Sequence, residues 1–217
     1  MLKIYDYKGF PNPARIRIAL AEKGLVDQVE FIAVSVPRGE HRRPEFLARN
    51  PAGTVPVLEL EDGTHISECT AITEYLDHLD HNPVLTGKEA RDRALIHMMQ
   101  RRAETGLLDA VATYFHYATP GLGPQIETYQ NREWGEKSRE RALAGMRYLD
   151  GILGKQAYLA GERFTMPDIT AFAGLAFADI AKIDVPGGLE NLQAWRARVA
   201  QRPSVADAFD RKQTTWN

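Results

Sequence analysis

The chain has 217 residues, of which 44% are hydrophobic and 26% charged, a composition typical of a globular protein and too apolar for a disordered one. Its 29 acidic and 27 basic side chains nearly balance, so net charge gives no reason to expect a nucleic-acid or anionic-lipid partner. No apolar run approaches a membrane span, and the N-terminus MLKIYDYKGF lacks the features of a secretion signal. The only cysteine is Cys69, which excludes an internal disulfide and a CxxC metal or redox site. We therefore expect a cytoplasmic protein without a metal.

The first 80 residues alternate between strand and helix patterns. The predicted strands are residues 2–7, 29–36, 54–60 and 65–68, and the predicted helices lie within 11–24, 39–50 and 69–80. A helix between the first two strands implies a parallel, right-handed crossover, and the turn Glu61-Asp62-Gly63 implies an antiparallel hairpin. Residues 1–80 are therefore predicted to form a small mixed sheet with helices packed on it.

Strand patterns stop after the Pro- and Gly-containing segment 81–87, which is typical of an interdomain linker. Apolar residues then recur every three or four positions and predict one long helix; they are Ile96, Met99, Ala103, Leu107 and Val111. Two prolines and two glycines break the helix at residues 118–124, and a second long helix is predicted over 125–153. Residues 88–217 are therefore predicted to form an all-helical domain.

A capping box predicts the start of a later helix. Thr165 is followed three residues on by Asp168, and Phe164 and Ile169 flank them at the spacing of a hydrophobic staple. The following segment, ITAFAGLAFADIA, is apolar on nearly every side, which predicts a central core helix. Two shorter helices are predicted near 189–201 and 203–211.

Thr54-Val55-Pro56 stands at the head of the third predicted strand. Proline cannot donate to a strand ladder but is tolerated at a strand's first residue. A cis Val55-Pro56 bond would turn the backbone groups of Val55 outward, where they could pair with an extended peptide. The motif alone does not distinguish this docking role from a plain strand start.

Two charged motifs complete the candidate ligand site. Glu68-Cys69 lies where the fourth strand ends and a helix begins. The first amides of this helix could bind a carboxylate, and the Glu68 side chain could bind an ammonium group. His41-Arg42 follows the second strand and could hold a second carboxylate. Taken singly, Glu68 could merely complement the helix dipole, and His41 and Arg42 could merely be solvated. Taken together, the motifs fit a short peptide with a free α-amino acid at one end and a free carboxylate at the other, as in glutathione.

The sequence resembles the cytosolic glutathione transferase family along essentially its whole length. The stretches that carry the resemblance are PARIRIALAEKGL, GEHRRPEFLARNPAGTVPVLELEDG, SECTAITEYL and AGERFTMPDIT. The resemblance implies a thioredoxin-like domain followed by a helical domain, with glutathione as co-substrate. It implies that His41 and Arg42 bind the glycyl carboxylate, that Thr54, Val55 and cis-Pro56 hold the cysteinyl part, and that Glu68 and Cys69 hold the γ-glutamyl end.

Two residues depart from the family pattern. Family members usually have Ser or Thr where this chain has Cys69, whose amide can still bind and whose thiol is expected to pack as a small hydrophobe rather than react. Most members also activate the glutathione sulfur with a Tyr, Ser or Cys near the first helix. Where Ser or Cys is expected, this chain has Phe10-Pro11-Asn12-Pro13.

Three other groups are candidates for activating the sulfur. Tyr7 could donate its hydroxyl, and Asn12 could donate an amide hydrogen. His116, assisted by Thr119, could order a water that accepts the thiol proton. The chain resembles an atypical fungal and bacterial branch of the family to which such a water-mediated arrangement is assigned. On spacing alone, a histidine in an aromatic stretch is better explained by packing or capping, and only the resemblance makes the catalytic interpretation equally good.

We expect attack of the glutathione thiolate on small, apolar electrophiles, as in detoxification. Candidate walls of the electrophile pocket are Phe10, Tyr114, Phe115 and Tyr117, although aromatic residues at helical spacing also occur as plain core. Family members usually form homodimers. The alternative is a non-catalytic glutathione- or ligand-binding module on the same fold. A thiol–disulfide oxidoreductase is rejected because no cysteine lies at the start of the first helix.

Overall fold

The computed structural model describes residues 1–209, which fall into two units. The first comprises residues 1–83 together with residues 202–209, and the second comprises Val84–Gln201. The first is a mixed sheet with helices and the second is helical, which confirms the predicted fold class. No helix in the described part of the chain is long and apolar enough to span a membrane.

The first unit contains a four-stranded sheet in the order β2-β1-β3-β4. The strands are β1 (Leu2–Asp6), β2 (Val29–Ala33), β3 (Val57–Glu59) and β4 (His65–Ser67). β1 is parallel to β2 and antiparallel to β3, and β3 is antiparallel to β4, as predicted. All four strands are shorter than predicted. β2 ends where its pairing with β1 ends, and β3 begins only after Pro56, which has no N–H for a ladder.

Helices α1 (Pro11–Glu22), α2 (Pro44–Leu47) and α3 (Cys69–His78) complete this part of the first unit. α1 ends where predicted, because Gly24 has φ +64°, a conformation that glycine adopts at little cost. The core lies between the sheet and helices α1 and α3, and its fully covered residues include Ile4, Ile16, Leu58 and Leu76.

Helix α9 (Pro203–Ala208) packs on α1. Arg202, just before it, donates two hydrogen bonds to the Glu22 carboxylate (2.9 and 2.7 Å), and Ser204 donates a third. This segment therefore lies in the first unit, whereas the sequence placed everything after residue 88 in the helical domain. The predicted end of this helix at residue 211 lies outside the described residues.

The second unit contains α4 (Ala90–Ala103), α5 (Asp109–Ala118), α6 (Arg132–Leu153), α7 (Met166–Ile180) and α8 (Glu190–Ala200). The predicted long helix is helical from Ala90 to Ala118 but contains a π-helical turn at Glu104–Leu108. At this turn the Gly106 carbonyl lies so close to Gly145 that a Cβ there would sit 2.2 Å from it. The backbones of the π-helical turn and α6 are therefore in close contact at Gly106 and Gly145.

The predicted start of the second long helix was wrong by seven residues. α6 begins at Arg132 because the side chain of Asn131 caps it, accepting from the Trp134 amide at 3.0 Å. The residues between Ala118 and Asn131 form turns, and two of their side chains, Glu127 and Gln130, bind the end of α5. By contrast, α7 begins at Met166 with the predicted capping box of Thr165 and Asp168.

Candidate active site

The strand register brings the predicted glutathione-contact segments to one edge of the sheet. Tyr5 pairs with Val57, which pairs with Ser67, and Asp6 pairs with Ala33. Because β3 runs antiparallel to the other three strands, its start lies beside their ends. The segments 7–12, 34–42, 54–56 and 68–69 therefore all leave the sheet at this edge.

The Val55–Pro56 peptide bond is cis, as the family resemblance implied, and both residues are buried. The preceding loop is held by Asn50, a buried side chain that donates to the carbonyl (2.8 Å) and hydroxyl (2.9 Å) of Thr54. Its own side-chain oxygen accepts from the Ala52 amide at 3.2 Å. Asn50 thus fixes the chain immediately before Val55.

Replacing Asn50 with Ala should lower the free energy of unfolding by about 1–3 kcal/mol, because buried polar groups of the loop lose their partner. Glutathione affinity should fall as well, since Val55 follows the loop directly. Chemical denaturation and calorimetry measure the two effects. Thr54→Val is the matched control: it removes one of the three contacts and should have a smaller effect. A normal affinity in Asn50→Ala would show that the loop does not position Val55.

Glu68 has φ +70° and ψ 118°, a backbone conformation rarely adopted by residues with a side chain. Such a conformation costs about 1–3 kcal/mol and is concentrated at functional sites. The Glu68 carbonyl accepts from the Ile72 amide at 2.9 Å, so the residue begins α3. Its side chain is exposed and makes no hydrogen bond that caps this helix.

His41 and Arg42 lie in a 3₁₀ turn, Glu40–Arg42, with His41 buried and Arg42 exposed. Burial and, secondarily, the Arg42 charge lower the pKa of His41, so its imidazole is neutral near pH 7. It can therefore meet a carboxylate as a hydrogen-bond donor, while Arg42 supplies charge. A Cβ on Gly53 would lie 3.2 Å from the His41 carbonyl, so this turn packs on the loop that precedes Val55.

The starts of α1 and α3 touch through Cys69, whose buried sulfur lies 3.5 Å from the Asn12 carbonyl oxygen. The thiol is therefore packed between two helix starts, as expected of a small hydrophobe. The side-chain oxygen of Asn12 accepts from Arg15 at 3.0 Å, which leaves the amide hydrogens of this exposed side chain available as donors. Tyr7 packs edge-on against Phe10, with ring centroids 5.0 Å apart.

In the second unit, His116 lies near the end of α5 and contacts a carboxylate. Its Nδ1 is 2.7 Å from Oε1 of Glu127, and the same oxygen accepts from the Leu122 amide at 2.9 Å. Gln130 donates to the carbonyls of His116 and Thr119, at 2.7 and 2.6 Å. The turns after α5 are thus fastened to the helix end by side chains.

Thr119 belongs to this helix end. Its hydroxyl donates to the Phe115 carbonyl at 2.6 Å and accepts from the Gly121 amide at 3.1 Å. Because its only hydrogen is already donated, Thr119 can offer a water no more than an acceptor oxygen.

The three aromatic residues of α5 contact different neighbours. Phe115 packs on Phe177 of α7 at 5.2 Å, Tyr117 packs on Tyr129 at 6.2 Å, and the Arg139 guanidinium lies 5.9 Å from the Tyr114 ring. All three remain half-buried. Each of the three rings thus has a neighbour of its own within the second unit.

Sequence reasoning missed three residues that shape these sites. Asn50, Arg15 and Glu127 lie within helices predicted from the sequence (39–50, 11–24 and 125–153), and the sequence predicts no contact for any of them. No local pattern distinguishes Asn50 or Arg15 from other helix residues. His116 and Glu127 do stand on either side of a Pro- and Gly-rich turn, and this spacing could have suggested their contact.

The sequence matches the family model of the glutathione S-transferase N-terminal domain over residues 11–79 and that of the C-terminal domain over residues 109–203. It is 57% identical over 202 residues to glutathione S-transferase 2 of Saccharomyces cerevisiae, covering 93% of this chain and 87% of the relative.

Two crystal structures are similar over nearly the whole chain. The structure of Gtt2 from S. cerevisiae has a TM-score of 0.94 at 56% identity and covers 95% of this chain and 99% of that one. A glutathione S-transferase domain-containing protein of Marinobacter aquaeolei has a TM-score of 0.92 at 59% identity, covering 94% and 99%. Family models and relatives together favour an enzyme over a non-catalytic module. The chain belongs to the glutathione S-transferase family and is a transferase that uses glutathione as co-substrate.

Proposed function

We propose that the sheet edge described above holds glutathione by three separate grips and that His116 helps to activate its thiol. The observation that supports the proposal is the register of strand pairing, in which the four segments 7–12, 34–42, 54–56 and 68–69 meet at one edge of the sheet. One of these residues, Glu68, has a rare backbone conformation.

Each grip matches one part of the tripeptide. Glu68 and the first amides of α3 hold the α-amino acid of the γ-glutamyl group, through its ammonium and its carboxylate. Thr54, Val55 and Pro56 pair the backbone with the cysteinyl part, as an added strand would. Neutral His41 and charged Arg42 hold the glycyl carboxylate.

We assign activation of the glutathione sulfur to two hydrogen-bond donors, which stabilise the thiolate, and to one base, which removes the thiol proton. A free thiol titrates near pH ~8.5, so a thiolate at neutral pH needs stabilisation. The Asn12 amide is a suitable donor because Arg15 already occupies its oxygen, and Tyr7 offers a hydroxyl. His116 supplies the base, through an ordered water that takes the thiol proton.

The thiolate then attacks a small, apolar electrophile, with Phe10, Tyr114, Phe115 and Tyr117 as candidate contacts. The bond formed joins the glutathione sulfur to the electrophilic carbon, and the leaving group departs with the electron pair of the broken bond. We also propose, from family membership, a cytoplasmic homodimer acting in detoxification.

Calorimetry with glutathione and two blocked forms tests the three-grip arrangement. One form has its amino group acetylated and the other has its glycyl carboxylate amidated. Each should bind about tenfold more weakly or worse, because a charge-assisted hydrogen bond contributes about 1.5–3 kcal/mol. Equal affinity for all three would contradict the proposed grips.

A further inference from the structure

Glu127 has a largely covered carboxylate that contacts a half-buried histidine, His116. Its side chain is 9% exposed, whereas that of His116 is 37% exposed, and Nδ1 lies 2.7 Å from Oε1. The same oxygen accepts from the Leu122 amide, which can only donate. Oε1 is therefore an acceptor, so the neutral imidazole that contacts it carries its hydrogen on Nδ1.

The surrounding turn is built closely around this carboxylate. Gly121 has φ +57°, and a Cβ there would lie 2.3 Å from Oε1 of Glu127. Only a residue without a side chain leaves room for the carboxylate at this point. The Phe115 ring meets the imidazole edge-on at 5.1 Å and restricts its rotation.

From this geometry we infer that Glu127 is the positioning residue of His116: it holds the Nδ1–H tautomer and leaves Nε2 as the free proton acceptor. The inference deepens the proposed function and rests on it for the catalytic meaning of Nε2. Histidines used as bases or metal ligands are commonly oriented through the hydrogen bond of their other nitrogen. Glu127 acts on the glutathione thiol only through His116.

The tautomer can be measured without glutathione. Nitrogen-15 NMR correlations of the His116 ring at pH 7.5 should show the Nδ1–H form in the wild type and the Nε2–H form in Glu127→Ala. The matched control is Gln130→Ala, which loosens the same turn but does not contact the ring, and it should keep Nδ1–H. If Glu127→Ala also keeps Nδ1–H, the inference is wrong.

A kinetic cycle tests the consequence for catalysis. With glutathione and an activated aryl chloride, Glu127→Ala should lower kcat/KM by about 10- to 100-fold, the typical cost of losing a group that orients a functional histidine, whereas Gln130→Ala should stay close to wild type. In the His116→Ala background, Glu127→Ala should have no further effect, because it acts through the missing ring.

Two failures can be told apart. An equal loss from Glu127→Ala with and without His116 would overturn the positioning role. A wild-type rate in His116→Ala would instead refute the base role of His116 in the proposed function, and the NMR measurement would still decide whether Glu127 fixes the tautomer.

Discussion

Asp168→Ala should lower the free energy of unfolding by about 3–5 kcal/mol, among the largest effects expected of a single substitution. Asp168 is fully buried. One carboxylate oxygen accepts from the Leu159 amide and the Trp195 indole, both at 3.0 Å, and the other accepts from the Thr165 amide at 3.0 Å. Truncation would leave buried donors from a loop, a helix start and α8 without a partner. Urea denaturation followed by circular dichroism measures the loss.

Thr165→Ala is the matched control for this substitution, since it removes the cap of the same helix but leaves the carboxylate in place. It should lower the free energy of unfolding by only about 1 kcal/mol. Equal effects from the two variants would show that Asp168 is no more than a helix cap.

The pH dependence of this difference is also predicted. Burial raises the pKa of Asp168 to about 6, against 3.8 for the unfolded group, although the surrounding donors oppose the shift. The folded state therefore binds the proton more tightly, and this contribution to stability is lost as pH rises from about 4 through 6. Because Asp168→Ala lacks the group, its deficit relative to wild type should be larger at pH 4.5 than at pH 7.5. A deficit that grows as pH rises would contradict this assignment.

Glu68→Gln should weaken glutathione binding by about 10- to 100-fold, because a charge-assisted contact to the ammonium group becomes a neutral one. The side chain is exposed, so the protein's own stability should change little. Calorimetry with glutathione and with its N-acetylated form separates the causes: the variant should lose affinity for the first and not for the second.

Glu68→Gly distinguishes a functional from a structural role for this residue. Glycine adopts φ +70° readily, so the variant should be at least as stable as wild type while binding glutathione at least as poorly as Glu68→Gln. A marked loss of stability in Glu68→Gly, or unchanged affinity in any of these variants, would remove Glu68 from the ligand site.

Local chemistry explains which parts of the fold were predictable. The capping box at Thr165, the end of the first helix near Gly24 and the break after Ala118 depend on neighbouring residues alone, and each was found at its predicted place. The start of α6 was misplaced because Gln130 and Glu127, both good helix formers, are used instead to fasten the end of α5. Helix propensity does not reveal such tertiary demands.

The segments of the first unit that we propose to contact glutathione were visible in the sequence because they form contiguous motifs at strand ends. The residues that support them were not: Asn50 and Arg15 act through bonds to Thr54 and Asn12 that depend on the final backbone path. The same is true of Glu127, whose contact with His116 spans 11 residues and an irregular turn. Sequence patterns thus reveal contiguous candidate binding motifs more readily than the distant side chains that hold those motifs in place.

The ultraviolet absorbance of the thiolate, titrated against pH with bound glutathione, tests most directly whether this chain activates the thiol. We expect the thiol of bound glutathione to titrate well below ~8.5 in the wild type and close to that value in His116→Ala, with calorimetry showing that both bind glutathione. An equal shift in both proteins would assign activation to Asn12 and Tyr7 instead. Bound glutathione whose thiol titrates like free thiol in the wild type would contradict the account.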